Sequence, residues 1–345
     1  MPPVDRAACL AVRRDAVRGI LERHRLDAVV LRRFPNFAWY TDGGDNRVDH
    51  SSEVGVASVV VTRDADLILA DSIEAERMRT EQTPGFEVVE YPWFEEPPYR
   101  SIAGDRLGAD ASLAGAADVS SSVQALRRVL DAAAVERYRV LGSDAEAACR
   151  EAAGRLAPGM TEWEMMAALE GACRRRGLFS PVAMAAADGR IEWYRHPVTV
   201  GATAQRQVML VVCAERGGLY ANLTGWVHFD EPGDEWRRRQ RACETILYRL
   251  RTEETRPGRT LAGVFQTIRS LYAEEGFDGE WRYHHQGGST GYATRETVAK
   301  PAAGETIQTG NAFAWNPSIS GAKAEETFVL SAAGPEVIAR GFDGL

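Results

Sequence analysis

The stretch from His284 to Glu296, HHQGGSTGYATRE, sets two adjacent imidazoles before a glycine run and an Arg-Glu pair. An imidazole titrates near pH ~6.5, so it can take up and return a proton under ordinary conditions. Arg295 brings a planar guanidinium that can grip a carboxylate through two parallel hydrogen bonds, and Tyr292 brings a hydroxyl able to donate to a developing oxyanion. The glycines are not a phosphate loop, because neither G-x-G-x-x-G nor G-x-x-x-x-G-K-[ST] is present. Of the other histidines, His24, His50 and His228 read as ordinary hydrogen-bonded residues. His196, in YRHPVT, stands alone upstream of an apolar strand pair. Of the 41 basic residues only Lys300 and Lys323 are lysines. Both lie near the histidine stretch in sequence, where a compact ammonium has a use that arginine does not serve.

These residues need elements to position them. Residues 5–25 carry Leu10, Val12, Val17, Ile20 and Leu21 at helical spacing, and Leu26–Leu31 is a short apolar run suited to a buried strand. Ala57–Ala70 reads as a hairpin turning at residues 63–66, followed by a helical segment at 73–81 and a strand in FEVVEYPWF. This alternation predicts an N-terminal α/β domain at 1–128. A single long helical stretch is expected over 125–156, carrying the junction to a second domain at 129–345. Thr161 with Glu164 forms a capping box that starts the next helix, and Gly177 ends it. Val208–Phe229 reads as two strands joined at Gly217-Gly218. Helices are expected at 235–254 and 260–277, and two or three strands close the chain.

Composition narrows the function. A net charge of −8 with no basic run argues against nucleic acid as a partner. No apolar run approaches the ~20 residues that span a bilayer, and MPPVDRAACLAVRRD lacks the apolar core of a secretory leader. Cys9, Cys149, Cys173, Cys213 and Cys243 are odd in number and far apart, so reduced thiols and a cytoplasmic location are expected.

The order LDAVVL…NFAWYTDG, PGMTEWEM, YRHPVT, the strand pair, HHQGGSTGY..RE and AFAWNPS…KAEETFVL resembles the creatinase, aminopeptidase P and prolidase superfamily. The resemblance implies an α/β (α+β) protein: a creatinase-like N-terminal domain, then a "pita-bread" domain whose curved antiparallel sheet holds the site. It also implies a homodimer in which the N-terminal domain reaches the partner's site, through residues such as Arg47 and His50.

The metallopeptidases of that superfamily hold two divalent ions with two Asp, one His and two Glu. Carried over residue by residue, the two Asp positions land on Val211 and Asn222. The histidine lands on His285, with His284 as the alternative register, and the two Glu positions land on Asn316 and Glu325. Two neighbouring dications need anionic oxygen ligands, and a valine and two amides supply none. The resemblance therefore points to a metal-free, cofactor-free site like that of creatinase. His285 is the expected acid/base, with Glu325 orienting it and raising its pKa, and with His196 assisting. Arg295, Tyr292, Asn222, Asn316, His284 and Lys323 are expected to contact a small polar substrate. The reaction implied is hydrolysis of a C–N bond. An Xaa-Pro metallopeptidase, a metal-free lyase or isomerase, and a non-catalytic binding homologue stand as alternatives.

Overall fold

The structure is a computed structural model that describes residues 4–344. The chain forms two compact units. One runs to Ala134 and takes in Gly217–Leu219; the other comprises Val135–Arg216 and Tyr220–Leu345.

The first unit opens with the helix Arg6–His24, started by the Asp5 carboxylate, which accepts from the Ala8 amide at 3.0 Å. Its apolar stripe buries Val17, Ile20 and Leu21. Six strands follow in the spatial order Glu87–Tyr91, Asp66–Asp71, Val54–Thr62, Ala28–Arg33, Leu107–Ala109, Ala117–Asp118. The central strand pairs antiparallel with its hairpin neighbour (Val30 opposite Val60) and parallel with the next (Ala28 opposite Leu107). The expected continuous helix over 125–156 is broken into Ser120–Arg127 and Ala132–Ala153. The cause is Asp131, whose carboxylate accepts from the Ala134 amide at 2.9 Å and so starts a new helix, while Arg13 holds it at 2.7 Å.

In the second unit the capping box at Thr161 and Glu164 opens the helix Glu162–Arg175, and Gly177 takes the left-handed backbone just past its end. A strand that pattern reading missed, Phe179–Ala187, pairs with Gln207–Arg216, Met184 facing Val211. Its sequence, FSPVAMAAA, is poor in β-formers, so pairing rather than propensity makes it a strand. Gln207–Arg216 and Leu219–His228 are the expected strand pair and complete a three-stranded sheet.

A five-stranded antiparallel sheet runs Thr297–Val298, Gly287–Thr290, Ala312–Trp315, Glu326–Ser331, Gly334–Arg340. One face packs Phe313, Trp315 and Phe328 against Ile246, Leu250, Ile268 and Tyr272 of the helical layer. Among the described residues no helix is long and apolar enough to cross a membrane.

Candidate active site

The glycines after the histidine pair are dictated by packing. Gly287 and Gly288 have φ of +102° and +156°, and a Cβ on them would meet the Ala314 carbonyl at 2.1 Å and the Thr297 carbonyl at 2.0 Å. Only glycine lets the strand lie this close to its neighbours. Gln286, fully buried, locks the turn before them. It donates to the His284 carbonyl at 2.6 Å and accepts from the Tyr272 hydroxyl at 2.5 Å, while its own carbonyl receives the Asn316 amide at 3.1 Å. The two imidazoles are thus held at the rim of a sheet, stacked with ring centres 4.5 Å apart.

His285 opens on a cavity of about 440 Å³. His196, His285, Arg295, Asn316, Lys323 and Glu325 form its polar wall, and Met184, Val198, Val211 and Cys213 its apolar wall. At the centre of the polar wall is Glu325, only 2% exposed. Lys323 Nζ reaches one carboxylate oxygen at 2.9 Å and Arg295 Nη2 the other at 3.0 Å. Thr224 donates a third hydrogen bond at 2.9 Å. Burial pushes this carboxyl up, but the two cations and the hydrogen bonds overcome it and hold it down at about 2.

The imidazoles respond in the opposite sense. Burial, then Arg295, lowers His285 to about 4, outweighing the pull of Glu325. Burial and Lys323 lower His284 to about 2, and the same pair of causes lowers His196. All three rings are neutral at neutral pH. Nε2 of His284 lies 2.9 Å from Nε2 of His196, so one ring donates and the other accepts. This corrects the expectation that Glu325 orients His285 and raises its pKa: the carboxylate is committed to Lys323 and Arg295, and the cavity around the histidines carries excess positive charge.

The structure brings His285, Glu325, His196, Arg295, Asn316 and Lys323 into one cavity. It does not bring Tyr292, Asn222 or His284 to the cavity wall. The Tyr292 side chain is buried, and its hydroxyl accepts from Arg137 at 2.7 Å. Asn222 is fully buried behind the wall, its backbone exchanging hydrogen bonds of 2.8 and 2.9 Å with the Thr327 hydroxyl. His284, 8% exposed, is hydrogen-bonded to His196. Lys300 is exposed and lines no part of the cavity.

Three contributors escaped sequence reading. Thr224 and Gln286 carry hydrogen-bonding side chains whose partners, Glu325 and Tyr272, are distant in sequence. Cys213 faces the cavity, but burial drives its thiol up to about 12, which rules out a thiolate nucleophile. Asn316 Oδ1 and Arg295 Nε are buried and have no hydrogen-bond partner among the described residues, so the wall has polar capacity to spare.

A second hollow of about 230 Å³ backs onto the Lys323–Glu325 pair and has no histidine among its lining residues. There the next residue, Glu326, is held by Arg251 at 2.6 Å.

A two-unit α/β protein with an antiparallel sheet carrying a histidine-lined, cation-rich cavity belongs to the pita-bread class. Residues 136–332 match metallopeptidase family M24 and residues 13–141 match the creatinase/prolidase N-terminal domain. The chain is a member of family M24, a family of hydrolases by its description. In fold it is similar to an Xaa-Pro dipeptidase from Bacillus anthracis (TM-score 0.78, 16% identity, covering 97% of this chain and 100% of that one). It is likewise similar to a prolidase from Pyrococcus horikoshii (0.79, 16%, 95% and 98%) and to dipeptidase PepE from Mycobacterium ulcerans (0.76, 17%, 99% and 100%). No curated protein matches the sequence.

The residues at the positions where the resemblance places a two-metal centre do not fit one. Val211 offers no lone pair, Asn222 stands behind the wall, and Asn316 is an uncharged amide. The one carboxylate present, Glu325, has both oxygens engaged by cations and a hydroxyl.

Proposed function

We propose that this protein is a metal-independent, creatinase-like hydrolase that cleaves a C–N bond of a small, carboxylate-bearing substrate. The observation that carries this reading is the composition of the cavity wall: neutral imidazoles and two cations around a single fully engaged carboxylate. An anionic substrate suits a wall with one positive charge in excess, and Arg295 and Lys323 are the groups that would hold it.

In this reading His285 takes a proton from water as the water oxygen bonds to the carbon. Arg295 and Lys323 stabilise the negative charge that collects on the substrate. The C–N bond breaks, and the imidazolium returns its proton to the leaving nitrogen. A histidine held at about 4 is a modest base and a strong acid, which favours the second half of this sequence. His196, hydrogen-bonded to His284, supplies a second imidazole at the cavity wall. The reading extends to a cytoplasmic location, which the five free cysteines, four of them buried, support, and to a homodimer, which rests on the family resemblance alone.

The test is chelation. Dialysis against a strong chelator leaves turnover intact, and added manganese, cobalt or zinc does not raise it. Activity that vanishes with the chelator and returns with two equivalents of metal would sink the proposal in favour of an Xaa-Pro metallopeptidase. His285→Ala abolishes turnover while the thermal transition moves little.

A further inference from the structure

We propose that His196, His284 and His285 form a site for a single late first-row transition-metal dication, of the zinc, nickel or copper class, whose occupancy blocks catalysis. The blocking role rests on the acid/base reading of His285; the binding site does not.

The three rings each offer one nitrogen, and these atoms lie within 4.8 Å of one another. Imidazoles at ~2.1 Å from a tetrahedral ion have their nitrogens about 3.4 Å apart. The His196–His284 pair, at 2.9 Å, needs only a slight opening. His285 needs an inward swing of about 1.4 Å at most, within reach of a side-chain rotation. His196 and His285 keep an exposed face, so an ion has an entry path and an open position for water. Nδ1 of His284 is buried and has no hydrogen-bond partner among the described residues, leaving the ring free to turn without breaking a bond there. The ring that donates in the His196–His284 hydrogen bond carries its proton on Nε2, and a tautomeric shift of that proton to Nδ1 frees both Nε2 lone pairs for the ion.

An all-nitrogen donor set selects zinc, nickel or copper over magnesium, calcium or manganese, which prefer oxygen. It also separates this site from the family's carboxylate-built pair, of which only the His285 position is shared. Lys323 and Arg295 oppose the ion's charge and Glu325 offsets one of them, so a single dication is the limit. A lone pair on His285 that is bound to a metal cannot accept a proton, which makes such an ion an inhibitor.

The experiment titrates chelator-stripped protein with cobalt(II), followed by the visible bands of tetrahedral cobalt, and with zinc by calorimetry. One equivalent binds. His196→Ala, His284→Ala and His285→Ala each lower the affinity at least about tenfold, and manganese binds at least about tenfold more weakly than zinc. Circular dichroism of each variant separates lost ligands from lost fold, and His196→Asn provides a second, milder probe. Zinc then inhibits turnover, and chelator restores it. No stoichiometric binding, or binding indifferent to all three substitutions, overturns the inference and leaves the metal-free hydrolase standing. Binding that raises turnover overturns the blocking role and the metal-free reading together.

Discussion

Glu325→Gln tests the electrostatic centre of the cavity. The substitution keeps the side chain's shape and removes its charge, leaving Lys323 and Arg295 buried side by side with no anion between them. The native carboxyl sits at about 2 against an ordinary 4.5, a difference that corresponds to about 3 kcal/mol at neutral pH. This agrees with the roughly 3–5 kcal/mol lost when one partner of a buried ion pair is removed. For a unit of this size the thermal midpoint falls by about 6–12 °C. The pH dependence has a definite sign. Because the folded pKa is depressed, the stabilisation is complete above the unfolded pKa and is lost as pH falls towards the folded one. The gap between wild type and variant is therefore full at pH 7 and narrows between about 4.5 and 2. Differential scanning calorimetry across that range reads both quantities. A variant that melts with the wild type at pH 7, or a gap that ignores pH, refutes the assignment of Glu325 as the ionised centre of the clamp.

Other substitutions probe the framework. Gly287→Ala forces a Cβ to 2.1 Å from the Ala314 carbonyl at φ +102°, and the expected result is a loss of more than about 2 kcal/mol or failure to accumulate folded protein. Unchanged denaturant stability would contradict the packing described. Thr161→Ala removes the side-chain half of a capping box, the hydroxyl that accepts from the Glu164 amide, while the backbone amide at 161 still donates to the Glu164 carboxylate; it costs about 1 kcal/mol in the same measurement, with no change in any activity. Iodoacetamide labels Cys213 slowly in the native protein because its thiol is held near 12; rapid native labelling, followed by mass spectrometry, would show a thiolate that the cavity does not favour.

Much of this was legible in the chain, for identifiable reasons. The strands Ala28–Arg33 and Gln207–Arg216 announce themselves through short valine-rich apolar runs, and Leu219–His228 because it follows the Gly217-Gly218 turn. The capping box fixes a helix start to the residue. The break at Asp131 was hidden because helical periodicity continues on both sides of it, and a cap is recognised only once the chain has turned. Phe179–Ala187 was hidden because its alanines carry no β signal and its pairing is supplied by a strand 20 residues or more away.

At the site, glycines and histidines in one stretch pointed to the loop whose His285 lines the cavity. The direction of the His285 shift was misjudged because it depends first on how deeply the ring is buried and then on where Arg295 points. No linear pattern shows that Lys323 and Arg295 both face Glu325 rather than leaving it to the imidazole. Tyr292 misled for a similar reason, since a hydroxyl near a histidine in sequence is here turned to Arg137.

Glu325 and Glu326 are neighbours along the backbone, yet acid treats them differently. With two cations and a threonine, the first keeps its charge down to about 2. Burial lifts the second above the ordinary carboxylate range despite Arg251. On acidification Glu326 is therefore discharged before Glu325, and its tie to Arg251 fails while Glu325 still holds Lys323 and Arg295. Of this pair, acid reaches the carboxylate behind the cavity wall first and the one at its centre last.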